Sequence, residues 1–261
     1  MLPILTVGSL QIATYPPVNF LAFLVGGCLA LWRLKQVSGD QDQRRTGLLL
    51  TVAAILGGLF LPSLVETRLE SLLTGRPPGP VVIRVYYGLG LGLLAAFIYS
   101  RLHRLNLLEA LDRAIPAFAL GFSIARLGCL AAGCCGGVAT TSPLGLFLPD
   151  QHGNWAIRYP TQIWSGLFEA LLFVGLLRFS TWQEAHRADR HAPTWLEREG
   201  TLTFLYLLLF CLERFVLEFW RQDYLPIWGP FSLPHLLMLA GMTLVLAFLY
   251  RQNHSQVLPV H

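Results

Sequence analysis

The stretch Gly121-Phe122-Ser123-Ile124-Ala125-Arg126-Leu127-Gly128-Cys129-Leu130-Ala131-Ala132-Gly133-Cys134-Cys135-Gly136-Gly137 places an arginine, clustered thiols and repeated glycines inside an otherwise apolar run. An arginine at the centre of a bilayer helix costs about 2.5–3.5 kcal/mol on insertion scales, and such residues mark a pathway or an anionic ligand. Arg126 is therefore a candidate site residue. The glycines permit close backbone approach and irregular structure, which a membrane tolerates only where protein or a water-filled cavity surrounds it. The stretch reads as a membrane span that carries Arg126 and ends in a broken or re-entrant segment near Gly133–Gly137.

The remainder of the chain agrees with that solvent. Hydrophobic residues make up 54% and charged residues 13% of the 261 positions, where soluble domains carry about 25% charged. Apolar windows of span length fall at Val18–Arg33, Gly47–Leu64, Val81–Tyr99, Leu111–Ala132, Thr161–Leu177, Leu202–Trp220 and Ser232–Tyr250. They predict an all-α polytopic membrane protein of about seven transmembrane helices, forming a single domain over residues 1–261.

Basic residues in short loops set the orientation. Arg33, Lys35, Arg44, Arg45, Arg101, Arg104, Arg178, Arg187, Arg190, Arg198 and Arg251 follow the odd-numbered windows, against Arg68, Arg76, Arg158 and Arg221 on the other side. The N-terminus is expected outside and the C-terminus in the cytoplasm, with an exoplasmic loop at about 134–160 and a cytoplasmic loop at about 179–200. Met1–Thr14 lacks a basic n-region and a cleavage pattern, so the first helix reads as an uncleaved anchor. There is no phosphate-binding glycine loop and no internal repeat, which argues against an ATP-driven pump and against an alternating-access transporter built of matched halves. Thr181–Gly200 reads as a solvated linker, in which His186 and His191 are not expected to hold a metal.

Three constellations carry chemistry. In Glu213-Arg214-Phe215-Val216-Leu217-Glu218-Phe219-Trp220-Arg221, helical spacing puts Arg214, Glu218 and Arg221 on one face. They make either a phosphate grip oriented by Glu218 or a structural ion-pair seam. Arg126 is expected at the same exoplasmic depth, and arginines from two helices suggest a lipid phosphate. Cys129, Cys134 and Cys135 have three readings: small packing residues, a disulfide, or a thiolate site. Their spacing matches no standard zinc pattern, and Cys28 and Cys211 read as packing residues. Tyr159-Pro160-Thr161-Gln162 opens a helix with proline in its first turn, where Gln162 either reaches a headgroup or serves the cap. Glu169, on roughly the same face, must be protonated or paired with an arginine. Tyr86 and Tyr87 stand beside the glycine series Gly88, Gly90 and Gly92.

These residues resemble the bacterial prolipoprotein diacylglyceryl transferase family. Ala125-Arg126-Leu127-Gly128-Cys129 through Gly137 fits, without gaps, the family's Gly-Arg-x-Gly-Asn-x-x-Asn-Gly-Glu-type segment. Tyr159-Pro160-Thr161-Gln162 is similar to its His-Pro-Ser-Gln, and Arg214-Phe215 with Glu218-Phe219 and Arg221 to its Arg-Phe-x-x-Glu-Phe-x-Arg. The resemblance implies a seven-helix enzyme of the bacterial inner (cytoplasmic) membrane. Such an enzyme moves diacylglycerol from phosphatidylglycerol onto the lipobox cysteine thiol of a prolipoprotein signal peptide, with membrane lipids around it and no nucleic acid, cofactor or metal. By position, Arg126, Arg214, Glu218 and Tyr87 take the catalytic places, and Arg126, Gly128, Cys129, Cys134, Gly137, Gln162 and Arg221 the substrate-binding ones.

The departures are Cys129 for the family's asparagine, Cys134 for its acidic residue and Tyr87 for its histidine. A helix-one tyrosine of the family aligns with Phe23 unless Tyr15 substitutes. The rival functions are a paralogue that lipidates another acceptor, with Cys134 or Cys135 as transient nucleophile, and a phospholipid-binding protein without catalysis.

Overall fold

The computed structural model describes residues 4–7, 10–37, 94, 97–102, 104, 106–150, 153–186, 199–222 and 224–254. The chain divides into two compact units, Met1–Ala22 with Ala119–His261, and Phe23–Phe118. The described residues hold five long helices: α1 (Tyr15–Val37), α2 (Leu107–Ala132), α3 (Thr161–His186), α4 (Thr201–Glu218) and α5 (Leu233–His254). The windows at Gly47–Leu64 and, but for its last residues, Val81–Tyr99 lie outside the described residues, as do Tyr86, Tyr87 and His191.

Four helical segments among the described residues are long and apolar enough to cross a membrane: Pro17–Leu34, Leu107–Ala132, Thr161–His186 and Leu233–Arg251. Helix α4 has 18 residues but gathers Glu213, Arg214 and Glu218 at its C-terminal end, so its charge rather than its length sets it apart. Burial in α3 is inverted relative to a soluble helix. Its buried face holds Thr161, Gln162, Ser165 and Glu169, while Leu167, Leu171 and Val174 are exposed. An apolar solvent demands that arrangement, because backbone and side-chain polar groups must find partners inside the protein.

Among the described residues, three antiparallel hairpins qualify the all-helical expectation: β1 (Ile4–Val7) with β2 (Leu10–Ala13), β3 (Leu146–Pro149) with β4 (Trp155–Arg158), and β5 (Pro226–Trp228) with β6 (Phe231–Ser232). The expected turn-rich loop at 134–160 thus contains an ordered ribbon. Arg158 at its end is buried, and its Nη2 donates to Asp150 Oδ2 at 3.1 Å while its Nη1 donates to Gln222 Oε1 at 3.2 Å. Helix α3 also runs to His186, past the expected end at Leu177, and His186 Nδ1 lies 2.8 Å from the Trp182 carbonyl oxygen.

Helix ends follow from local chemistry. Asn106 caps α2, its Oδ1 accepting the Glu109 N–H at 3.5 Å, and Glu109 pairs with Arg113 one turn on. At the other end of α2, Gly133 adopts φ +72°. The Gly133 N–H donates to the Leu130 carbonyl at 3.3 Å and the Cys134 N–H to the Cys129 carbonyl at 3.1 Å. That pair of bonds is a Schellman cap, and it directs the chain away from the helix axis at the glycine the sequence singled out.

Past the cap, Gly136–Thr140 runs as an extended strip between two neighbours. The Gly137 N–H donates to the Tyr159 carbonyl at 3.0 Å, the Val138 N–H to the Trp220 carbonyl at 2.8 Å, and the Gln222 N–H to the Gly136 carbonyl at 3.0 Å. Gly137 is glycine because a Cβ there would lie 2.5 Å from the Tyr159 carbonyl oxygen and 2.9 Å from that of Trp220. Both obstacles are backbone and have little room to yield. Gly137→Ala is therefore expected to destabilise the protein by ~1–3 kcal/mol, read as a lowered thermal midpoint in detergent. Gly175→Ala, in α3 with nothing within 4 Å of the added atom, should be neutral or stabilise by up to about 1 kcal/mol. The opposite order of the two midpoints would contradict this account of the strip.

Candidate functional site

The Schellman cap assembles the cysteines. It places Cys129 and Cys134 at its two ends, and a second left-handed residue, Cys135 at φ +60°, turns the next side chain back toward them. The three Sγ atoms all lie within 4.8 Å of one another, with Cys129 buried and the other two partly so. Helix α3 locks the turn from the side. Thr161 Oγ1 donates to the Cys135 carbonyl and Gln162 Nε2 to the Cys134 carbonyl, each at 2.9 Å. Gln162, expected at a headgroup or a cap, thus serves the cysteine turn, while its Oε1 is buried with no hydrogen-bond partner among the described residues.

Arg126 rises from α2 into the same space. Its guanidinium lies over the Phe122 ring, 5.7 Å from the centroid, and its Nε is buried with no hydrogen-bond partner among the described residues. A buried donor left unmade costs about 1–3 kcal/mol. Cys129, Cys135, Glu213 and Arg221 are the electrostatic neighbours of Arg126. The helix approaches that permit this use small residues. A Cβ on Gly128 would meet Val18 of α1 at 3.3 Å, and one on Gly166 of α3 would meet the Arg126 Cβ at 3.3 Å.

Arg221 reaches the cluster by another route than expected. Helix α4 ends at Glu218, and the Trp220 and Arg221 N–H groups bond back three residues to Leu217 and Glu218. The single helical face through Arg214, Glu218 and Arg221 is therefore broken before Arg221. A backbone bridge to Gly137 sets its place instead. Its Nε lies 3.6 Å from Glu218 Oε2, within ion-pair range though long for a hydrogen bond. Arg214 remains on α4, where its electrostatic neighbours include Glu169.

Glu169 is fully buried and accepts from the Tyr206 hydroxyl at 3.2 Å, so its hydrogen-bond partner is a phenol, with Arg126 and Arg214 within electrostatic reach. Glu213, which the sequence reading did not select, is buried beside Arg126 with neither carboxylate oxygen hydrogen-bonded among the described residues. The signal that could have found it is its place next to Arg214 in an otherwise apolar helix.

A second buried chain leads from Glu218. Ser232 Oγ lies 3.4 Å from Glu218 Oε1 and 2.9 Å from His235 Nδ1, and the Ser232 N–H donates to that nitrogen at 3.2 Å. Ser232 and His235 form the N-terminal cap of α5 in the manner of a capping box, with imidazole in the place of a glutamate. Phe215, Phe219, Tyr224 and Phe231 surround the ring.

Tyr15, the first residue of α1, has the clustered thiols as electrostatic neighbours. Burial pushes its hydroxyl up to about 12, and Cys129, Cys134 and Cys135 act on it electrostatically. Among the thiols past the end of α2, Cys135 is lowered from the ordinary range by the neighbouring thiols of Cys129 and Cys134 and then by Arg221 and Arg126. Cys134 is raised by the same thiol contacts and by burial. Cys211 packs on α5, where a Cβ on Gly241 would lie 3.2 Å from its Sγ, but Cys28 is exposed rather than packed. Of the sequence candidates, Arg126, Cys129, Cys134, Gly137, Gln162 and Arg221 converge around one turn. Gly128 supports it from α2, Glu218 reaches it through Arg221, Arg214 stands on α4 near Glu169, and Tyr87 lies outside the described residues.

Comparison with known proteins covers nearly the whole length. The family model described as prolipoprotein diacylglyceryl transferase matches residues 3–251. Phosphatidylglycerol–prolipoprotein diacylglyceryl transferase 2 of Clostridium perfringens is 30% identical over 221 residues, 82% of this chain and 81% of the relative. The transferase of Clostridium tetani is 30% identical over 179 residues, 66% of this chain and 65% of that protein. That of the Wolbachia of Brugia malayi is 26% identical over 237 residues, 85% and 82%. On the length of that match, the chain with its arginine-bearing α2 and cysteine turn belongs to the prolipoprotein diacylglyceryl transferase family.

Proposed function

We propose that the protein transfers the diacylglyceryl group of phosphatidylglycerol to the lipobox cysteine thiol of a prolipoprotein signal peptide, in a bacterial cytoplasmic membrane. The proposed architecture is one domain of about seven membrane helices, N-terminus outside and C-terminus cytoplasmic, with the site toward the exoplasmic face. The observation that carries the reading is the buried Arg126 Nε, without a hydrogen-bond partner among the described residues, with Arg221 brought to the same turn by the Gly137 bridge.

In the reaction, the acceptor sulfur forms a bond to a glycerol carbon as the bond from that carbon to the phosphate oxygen breaks. The glycerol phosphate leaves with the electron pair, and the thiol proton passes to a base. Negative charge builds on the departing phosphate, which guanidiniums fixed in a dry site stabilise most effectively because they need not reorganise. Arg126 and Arg214 take that role, Arg221 binds the headgroup, and Glu218 holds Arg221 in place. Gly128 and Gly137 keep the backbone close to the lipid, with Cys129, Cys134 and Gln162 lining the turn. Tyr87 stands at the place of the family's histidine. The Ser232 hydroxyl, within 3.4 Å of Glu218 Oε1, supports Glu218 as a proton acceptor held in a polar pocket.

The replacements at Tyr87, Cys129 and Cys134 favour a second reading, a phospholipid-binding membrane protein without turnover. Labelled diacylglycerol transfer from phosphatidylglycerol to a lipobox peptide separates the two: binding without transfer by the purified wild type would remove the catalytic reading. Arg126→Ala is expected to lower kcat/KM by about 10²–10³, the usual loss for one oxyanion-stabilising donor, with the thermal midpoint retained. Glu218→Gln is expected to lower kcat more than it raises KM, because a neutral amide neither accepts a proton nor pairs with Arg221. Cys135→Ala should keep turnover, since the acceptor thiol comes from the peptide.

A further inference from the structure

We propose that Cys129, Cys134 and Cys135 form a three-thiolate binding site for a soft monovalent metal cation, copper(I), built on the Schellman turn that ends α2. The inference goes beyond lipid transfer and does not rest on it. Three sulfurs around one ion at a metal–sulfur distance near ~2.3 Å must stand about 4 Å apart, and these Sγ atoms already lie within 4.8 Å of one another. The turn is held before any ion arrives, by the cap bonds, by the left-handed Cys135 and by the Thr161 and Gln162 side chains on the two cysteine carbonyls. Such outer contacts fix ligand orientation in metal sites.

Ligand softness and ligand number select the ion. Three thiolates and a monovalent cation carry a net charge of −2, offset in part by Arg126 and Arg221, the cationic neighbours of Cys135, which themselves have Glu213 and Glu218 beside them. Soft thiolate ligands favour copper(I), zinc and iron–sulfur clusters. Zinc in structural sites takes four ligands, and among the described residues no histidine, aspartate or glutamate joins the three cysteines. A disulfide would use two sulfurs and leave the third stranded beside two guanidiniums.

The test is an anaerobic titration of the full-length protein in detergent, thiols reduced and counted, with copper(I) held by a chromophoric chelator of known affinity. One copper withdrawn per chain, with three sulfur neighbours by X-ray absorption, is the expected result. Cys129→Ser should weaken binding by more than about 100-fold, and Thr161→Val or Gln162→Leu by ~10–100-fold. Cys28→Ser and Cys211→Ser should bind as the wild type does, which separates the cluster from the other thiols. Fully reduced wild type that takes no copper from the chelator, or an affinity unchanged by Cys129→Ser, would overturn the proposal. Because no lipid or acceptor peptide is present, its failure says nothing about transfer, and loss of transfer says nothing about it.

Discussion

The site depends on how α2 ends. An α-helix leaves its last carbonyls without partners, and in a membrane protein water is not at hand to satisfy them. Gly133 answers this by entering the left-handed region, which lets the Gly133 and Cys134 N–H groups close back on Leu130 and Cys129. The chain leaves the helix with Cys134 folded over Cys129, and the strip from Gly136 is aimed between Tyr159 and Trp220. Arg221 is then pinned opposite Gly137. A residue without φ freedom at 133 would turn the strip elsewhere, and the cluster, the bridge and the arginine placement would go with it.

Around that turn the protein keeps several charged or polar groups away from solvent at once. Glu169 and Tyr206 bond each other, Glu218 leans on Arg221 and Ser232, and Arg158 is shared by Asp150 and Gln222. Hydrogen bonding is incomplete on both sides of this arrangement: Glu169 Oε1 and Arg158 Nε are buried without hydrogen bonds among the described residues, as are Arg126 Nε, Gln162 Oε1 and both oxygens of Glu213 nearer the cysteine turn. Each such atom costs free energy.

Helical periodicity was a sound guide where the helix persisted and misleading one turn beyond it. It put Arg214 and Glu218 on α4, but carried Arg221 along the same face when the chain had already left the helix. Nothing in the residues around 219–221 announces the stop as a glycine would, because the bridge that takes over comes from Gly137, more than eighty positions away. The hairpin of β3 and β4 was hidden for a related reason: four-residue strands set among turn residues declare themselves only through the partner they pair with. That His235 accepts from the Ser232 N–H was not legible in the sequence, since that bond depends on cap geometry.

The sequence alone determined the solvent, the class and the family, because apolar run length and the spacing of Arg126, Gly128 and Gly133–Gly137 are one-dimensional properties. It also singled out the cysteines while leaving packing, disulfide and thiolate readings open. Only the tertiary structure decided that three sulfurs meet, that Gln162 and Thr161 hold their turn, and that Arg221 joins Arg126 from a different element. Convergence of side chains from α1, α2, α3 and the end of α4 is set by a cap, a bridge and close helix approaches at glycine, and none of these is encoded by local spacing.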